Sequence, residues 1–149
     1  MKQWILVKAL NKVVSTYNAW RMLTDQEIDQ EYEWEYSKVK RRFDDPLPTL
    51  EDFQKAVKEG KPEVITPSKD RSIQNRSYPD DIEDLKDMVS QYQFPRDVDR
   101  IIDGLENNDP IPYPIVLEEA GDRWIMSGNT RMATSFLLDI NPTVLIVKI

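Results

Sequence analysis

Five consecutive residues, Ser127-Gly128-Asn129-Thr130-Arg131, combine the residue types that bind a negatively charged group. A strand-like run precedes them and a helix-like run follows, so that Gly128 allows a sharp turn between the two. Such a turn directs free N–H groups and the positive end of a helix dipole to one side. Asn129 and Thr130 add side-chain donors, and the guanidinium fork of Arg131 matches phosphate geometry. The pattern predicts a phosphate site; an ordinary strand–turn–helix with a surface arginine is the alternative.

The elements that position this turn are predicted from the apolar pattern of the second half of the chain. Apolar residues at steps of three and four favour helices, and short β-branched runs favour strands. The predicted helices occupy 82–92, a span that begins at Pro95 and ends before Asn107, and a span that begins at Arg131 or Met132. The predicted strands occupy 114–117, 123–127 and 143–149, with an acidic turn at 118–122.

The first 60 residues are predicted to be mostly helical. A stripe from Trp4 to Tyr17 favours a helix, with a short strand at 4–7 as the alternative. Thr24 and Glu27 have capping-box spacing at the start of a second helix. Its apolar face is expected at Ile28, Tyr32, Tyr36, Val39 and Phe43. The acids at the start of this helix form either a partner-binding, nucleic-acid-mimicking face or an ordinary solvated face.

Two further segments complete the sequence-based description. A short helix is expected from Thr49 to about Glu59, with Gly60 ending it. Residues 61–79 are polar and contain three prolines, which is typical of an ordered loop or linker. The bases Lys69, Arg71 and Arg76 form either a phosphate patch or part of a solvated linker. The expected fold is therefore α/β (α+β), with a helical segment at 1–60 and a small mixed-sheet domain at 61–149.

From roughly residue 77 onward, the order of elements resembles the ParB/sulfiredoxin-like superfamily. The resemblance is carried by Phe94-Pro95-Arg96, by 109–117, and by 123–133, which contains a Gly-x-x-Arg box at Gly128–Arg131. It implies a small α/β unit that binds the phosphates of ATP or CTP, with Mg²⁺, at this loop. It also implies that Ser127, Gly128, Asn129, Thr130 and Arg131 line the phosphate site, and that Arg96 faces the same phosphates.

The middle of the box differs from that of both named branches of the superfamily. Sulfiredoxins have a catalytic cysteine and a histidine there, and ParB proteins have a run of basic residues. This chain has Asn129 and Thr130, and it contains no cysteine at all. We therefore do not expect it to reduce a sulfinic acid. The resemblance implies the fold and a phosphate site, and it leaves the reaction unassigned.

Three functions remain open on the sequence. The first is a nucleotide-binding protein that hydrolyses or transfers a phosphoryl group, with Asp109, Glu118, Glu119 and Asp122 as candidate carboxylates near the site. The alternative is a solvated hairpin turn for 118–122 and a turn-forming role for Asp109. Tyr113 and Trp124 are candidates to stack on a base, and core packing is the alternative for Trp124. The second is a nucleic-acid-associated or nuclease-like accessory module. The third is a non-catalytic interaction protein that docks a partner through its acidic N-terminal helices.

Composition limits these functions. The chain has 149 residues, a net charge of −7, and neither cysteine nor histidine. Those absences exclude a Cys- or His-bound zinc site, a thiol nucleophile and a Ser-His-Asp triad, and we expect no haem. The charge argues against tight, sequence-independent DNA binding, so any DNA contact is expected to be weak. No apolar run has the length of a membrane span. We expect a cytoplasmic protein, and a homodimer is one possible assembly.

Overall fold

A five-stranded mixed sheet organises residues 17–92 and 96–149, which are the residues described in the computed structural model. The strands are β1 (Trp20–Arg21), β2 (Lys61–Val64), β3 (Ile73–Gln74), β4 (Ile111–Pro112), β5 (Ile115–Glu119), β6 (Asp122–Ser127) and β7 (Thr143–Lys148). The order in the large sheet is β2-β7-β5-β6-β3, and β1 pairs with β4 in a separate parallel pair. The predicted α/β fold with a mixed sheet is confirmed.

The middle of the sheet is a hairpin joined to a parallel strand. Strands β5 and β6 pair antiparallel through a turn at Ala120 and Gly121, whose φ values of 50° and 88° are both left-handed. Strand β7 pairs parallel with β5 and antiparallel with β2. Because β5 and β7 are surrounded by other elements, residues 115–117 of β5 and 144–147 of β7 are apolar and buried, and polar residues occur only toward the strand ends.

The helices cover this sheet and close its ends. They are α1 (Asp25–Glu31), which continues as a π-helical turn (Tyr32–Tyr36), α2 (Ser37–Val39) and a 3₁₀ turn (Lys40–Phe43), then α3 (Leu50–Lys58), α4 (Pro67–Asp70), α5 (Ile82–Ser90), α6 (Val98–Glu106) and α7 (Asn129–Leu137). No helix within the described ranges combines the length and the apolar character needed to cross a membrane.

Side-chain caps define where several helices begin. The predicted capping box is confirmed: Thr24 accepts a hydrogen bond from the N–H of Glu27, and the Glu27 carboxylate accepts one from the N–H of Thr24. Thr49, Asp81 and Asp97 cap α3, α5 and α6 with only one of these two bonds, because each N-cap side chain accepts a hydrogen bond from the backbone N–H three residues later. These polar residues precede apolar periodic runs, which is why the sequence locates α1, α3 and α5 correctly.

Three sequence-based boundaries were wrong. Residues 61–79 are not a linker. They form β2 and β3, which are the two edge strands of the sheet, and α4, which lies between these strands along the chain. Pro62 is compatible with an edge strand, where a missing N–H can face solvent. Helix α6 begins at Val98 rather than at Pro95, and α7 begins at Asn129, earlier than predicted. The predicted helix or strand within residues 1–16 lies outside the described residues.

The N-terminal helices share one core with the sheet. Ile28, Tyr36, Phe53 and Val57 are buried in the same apolar cluster as Leu145. The other members of this cluster are Leu23, Val39, Phe43, Ile115, Leu117, Met126 and Val147. The helical segment therefore packs directly on the sheet, and Phe53 is among the fully buried residues at this contact.

This shared core can be tested with Phe53→Ala. We expect the free energy of unfolding to fall by about 3–5 kcal/mol, because the deletion removes a large buried ring and leaves a cavity. Denaturant unfolding measures the change. Gln54→Ala, at a partly buried position next to it, is the control and is expected to change stability by less than about 1 kcal/mol. A Phe53→Ala loss as small as that of Gln54→Ala would contradict the shared core.

Candidate functional site

The backbone at Gly128 fixes the end of β6 against the start of α7. Gly128 has φ 88° and ψ 21°, a left-handed conformation that most side chains avoid. A Cβ atom at this position would lie 2.7 Å from Pro114 Cβ and 2.6 Å from the Arg131 guanidinium. Among the residues that the structure describes, no side chain caps the N-terminus of α7. Only glycine fits here, so the sequence-based role of Gly128 as a tight turn agrees with the geometry.

Arg131 folds back toward the first turn of its own helix. Its Nη1 donates a hydrogen bond of 3.0 Å to the Pro112 carbonyl, and its Nη2 donates to Ser127 Oγ at 3.4 Å. Ser127 itself is buried. Burial lowers the pKa of Arg131, and the neighbouring Glu31 carboxylate raises it. An arginine retains its proton under both influences, so a fixed positive charge lies at this helix end.

Two carboxylates from the N-terminal helix face this charge and that of Arg96. Glu31, at the end of α1, lies beside Ser127 and Arg131, and Glu35, in the π-helical turn, accepts a 3.4 Å hydrogen bond from Arg96 Nη2. Arg96 is also close enough to affect the pKa of Arg131. The arginine–glutamate cluster consists of these four residues: Arg96, Arg131, Glu31 and Glu35.

Glu31 is the least satisfied member of the cluster. Its Oε2 atom is buried and has no hydrogen-bond partner among the described residues. Burial raises the pKa of Glu31, while Ser127 and Arg131 lower it by a smaller amount. A raised pKa means that the folded state prefers the protonated acid. Glu31 therefore favours folding at low pH and loses that contribution as the pH rises through its folded-state pKa.

A well-formed ion pair adjoins the cluster. Arg21 donates two hydrogen bonds to Glu27, of 2.7 and 3.0 Å. The Arg21 pair is the main reason that the pKa of Glu27 falls to about 2. Glu27, Glu31 and Glu35 follow one another at steps of four residues, so one face of this helix places three carboxylates against arginines from three other segments.

Asn129 and Thr130 are oriented differently from the sequence-based expectation. The Asn129 Oδ1 atom accepts hydrogen bonds from Arg76 and from the N–H of Ser77. Thr130 is buried, with 6% of its surface exposed. The structure therefore brings Ser127, Gly128 and Arg131 together near Arg96, whereas Thr130 points away from solvent and the oxygen of Asn129 is already engaged.

Two other sequence-based candidates, Glu118 and Trp124, make their contacts elsewhere. Glu118 accepts a 2.9 Å hydrogen bond from Arg123, and Trp124 packs edge-on against Phe43 beneath the Arg42 guanidinium. Core packing, the alternative given for Trp124, describes its contacts. Within residues 17–92 and 96–149, no group of three or more acidic, cysteine or histidine residues is arranged to hold a metal ion.

An open groove of about 520 Å³ lies on another part of the molecule. The three lysines Lys55, Lys61 and Lys148 line it with Glu59, above an apolar floor that includes Ile146. None of the residues predicted from the sequence to bind phosphate contributes to its walls.

Sequence reasoning missed the residues that reach the site from far along the chain. Glu31 was interpreted only as part of an acidic stretch at the start of a helix, Glu35 was not singled out, and the buried partner of Arg76 was not foreseen. The four-residue repeat of Glu27, Glu31 and Glu35 was the available signal, because it indicates one continuous acidic face beside the apolar one. Nothing in the sequence indicates that this face meets arginines 61 or more residues away.

Comparison with known proteins identifies no matching family model, no matching curated protein and no matching solved structure. The resemblance to the ParB/sulfiredoxin-like superfamily thus rests on the motif residues and remains a prediction.

The Arg21–Glu27 pair predicts a specific dependence of stability on pH. Glu27→Gln keeps an acceptor for the capping box but removes the charge that pairs with Arg21. We expect a loss of about 1 kcal/mol in unfolding free energy at pH 7, since the pair is partly exposed. A lowered pKa stabilises the fold above the ordinary glutamate range and ceases to do so as the pH falls toward 2.

Denaturant unfolding of parent and variant between pH 7 and pH 2 measures this difference. The two stabilities are expected to converge as the pH falls from about 4.5 to about 2, where Glu27 of the parent becomes protonated. A difference that stays constant down to pH 2 would show that the ion pair is not its cause.

Proposed function

We propose that this protein binds the phosphate groups of a nucleotide at Arg131, Arg96 and the N-terminus of α7. The observation that carries the proposal is that two arginines from separate segments lie beside two carboxylates: Arg96 donates to Glu35 at 3.4 Å, and Arg131 is within electrostatic range of Glu31. A guanidinium fork that donates to a carboxylate also donates to a phosphate, because the two anions present similar oxygen pairs. The uncapped N-terminus of α7 adds N–H donors at the same place.

The carboxylates act as internal competitors for the ligand. Glu35 contacts Arg96 while its side chain keeps 20% of its surface exposed, so an incoming anion can displace it. Glu31 has a buried oxygen without a hydrogen-bond partner among the described residues, which makes its ionised form costly to retain. A phosphate that displaces both carboxylates would replace the single 3.4 Å contact of Glu35 with Arg96 by shorter and more numerous charge-assisted contacts.

The helix that carries these carboxylates has a local irregularity at the right place. The π-helical turn at Tyr32–Tyr36 contains Glu35 and follows Glu31 directly. π-Helical turns are rare and occur frequently at functional sites, because the widened turn is a less regular form of the helix. A shift of this turn toward regular α-helix would move Glu35 relative to Arg96 without unfolding the segment.

Arg131→Ala tests the proposal most directly. We expect affinity for pyrophosphate, ATP or CTP to fall by about ten- to a hundred-fold, because a charge-assisted contact is worth roughly 1.5–3 kcal/mol. Arg131→Lys should restore only part of the affinity, since a point charge lacks the fork. Arg100→Ala, on the exposed face of α6, is the matched control and should bind like the parent.

Calorimetric titration with ATP, CTP, GTP and pyrophosphate measures binding, and phosphate release with Mg²⁺ measures hydrolysis in the same samples. Melting temperatures separate loss of the site from loss of the fold. If none of these anions binds below millimolar concentration, the phosphate proposal is wrong and the interaction-protein hypothesis replaces it. Salt-dependent binding to duplex DNA in the absence of nucleotide binding would instead support the nucleic-acid module.

Removing the competing carboxylates predicts the opposite effect. Glu35→Gln and Glu31→Gln should each raise the affinity for pyrophosphate by roughly fivefold, since each removes a like charge worth about 1 kcal/mol near the protein surface. Glu33→Gln changes the same charge on the exposed face of the same turn and is the control. Binding to the parent should also strengthen as the pH falls through the raised pKa of Glu31. Equal affinities in all three variants would contradict internal competition.

A further inference from the structure

A buried ion pair lies behind the Gly128 turn. Arg76 donates to both carboxylate oxygens of Asp70, at 2.7 and 3.1 Å. The side chains of Arg76 and Asp70 keep only 1% and 5% of their surface exposed. Desolvating two charges is costly, so such a pair needs good geometry and further hydrogen bonds to be tolerated.

The other hydrogen bonds of Arg76 and of its neighbour Ser77 join this pair to Asn129, in the candidate phosphate site. Arg76 Nη1 donates to Asn129 Oδ1 and, at 3.1 Å, to the Ser77 carbonyl. The Ser77 N–H donates to the same Asn129 oxygen at 3.4 Å. The Tyr78 hydroxyl donates to the Asp70 carbonyl at 2.8 Å, and its ring covers the Arg76 guanidinium. The segment from Asp70 to Tyr78 is thereby tied to the first residue of α7.

These contacts fix the orientation of the Asn129 amide. Two donors on one side require the carbonyl oxygen to be there, because the amide nitrogen has no lone pair to offer. The Nδ2 group must then point the other way. It has no hydrogen-bond partner within the described ranges, and Asn129 is only partly buried. The result is an oriented donor at the start of α7, within the Gly128–Arg131 turn.

We infer that Asp70 and Arg76 are positioning residues that present the Asn129 Nδ2 group to a bound tetrahedral oxyanion. The inference rests on the proposed phosphate-binding function. Arg76 itself is too deeply buried to touch a ligand, and its guanidinium is already engaged by three residues. Its contribution is to hold a neutral donor at the first residue of α7, two residues before Arg131 in the chain, so that the donor is oriented before the anion arrives.

Asn129→Asp separates this role from a merely structural one. Aspartate keeps an oxygen that accepts from Arg76 and Ser77, but it replaces the outward N–H₂ donor with a second oxygen. We expect the melting temperature to stay at or above that of the parent. Affinity for pyrophosphate should fall by roughly ten- to a hundred-fold, because a donor to an anion is lost and a like charge is added.

Asn75→Asp is the matched control. It makes the same chemical change one residue from Arg76, at an exposed position with φ 65° that aspartate tolerates. We expect its affinity for pyrophosphate to equal that of the parent. Arg76→Lys, which loses the fork, should lower both the melting temperature and the affinity, since the amide is no longer fixed.

Isothermal titration with pyrophosphate decides between the outcomes. If the parent binds and Arg131→Ala does not, but Asn129→Asp binds like the parent, the positioning role is wrong and the proposed function stands. If Asn75→Asp weakens binding as much as Asn129→Asp, added charge explains the effect and the positioning role is again wrong. If the parent does not bind pyrophosphate or nucleotides, the proposed function has failed, and this inference fails with it.

Discussion

The missing side chain at residue 128 is the constraint on which the candidate site depends. With φ at 88°, Gly128 lets the chain turn from β6 into α7 while its Cα lies against Pro114. The same absence leaves room for the Arg131 guanidinium, which would otherwise meet a Cβ at 2.6 Å. Any larger residue would therefore move the helix start and the arginine together. The positive end of α7 and its cation are one structural unit.

The carboxylates on α1 and its π-helical turn face arginines from other segments of the chain, and these contacts differ in how well they are paired. Glu27 pairs with Arg21 in two short hydrogen bonds and has a strongly lowered pKa. Glu31, one turn later, has a raised pKa and one oxygen with no hydrogen-bond partner in the described part of the chain. The first contact stabilises the helix on the protein, whereas the second opposes its own ionisation. Contacts that oppose stability, as this one does, are expected at functional sites.

Helical periodicity and capping made much of the fold predictable from the sequence. Thr24, Thr49 and the apolar steps after them identify helices that the structure contains. Strand periodicity failed for β2 and β3, because a four-residue edge strand with Pro62 and a two-residue strand are too short to show alternation. The glycine turn and its arginine were visible locally. The proximity of Arg131 to Glu31 and the bond of Asn129 to Arg76 were not visible. Both join residues more than 50 positions apart and depend on the completed sheet.

Because β7 is the last of the seven strands along the described chain and lies inside the sheet, the sheet can be completed only after β7 has been synthesised. Residues 143–148 lie between β2 and β5, so neither neighbour has its full set of ladder hydrogen bonds until they arrive. During synthesis on the ribosome, β2 and the helices that pack near it must wait for about 80 further residues, several seconds at ordinary rates of elongation. Until then Phe53 of α3 can pack against Tyr32 and Tyr36, but its other cluster members Leu145 and Val147 are absent. The net negative charge of the chain opposes association between such incomplete chains during that interval.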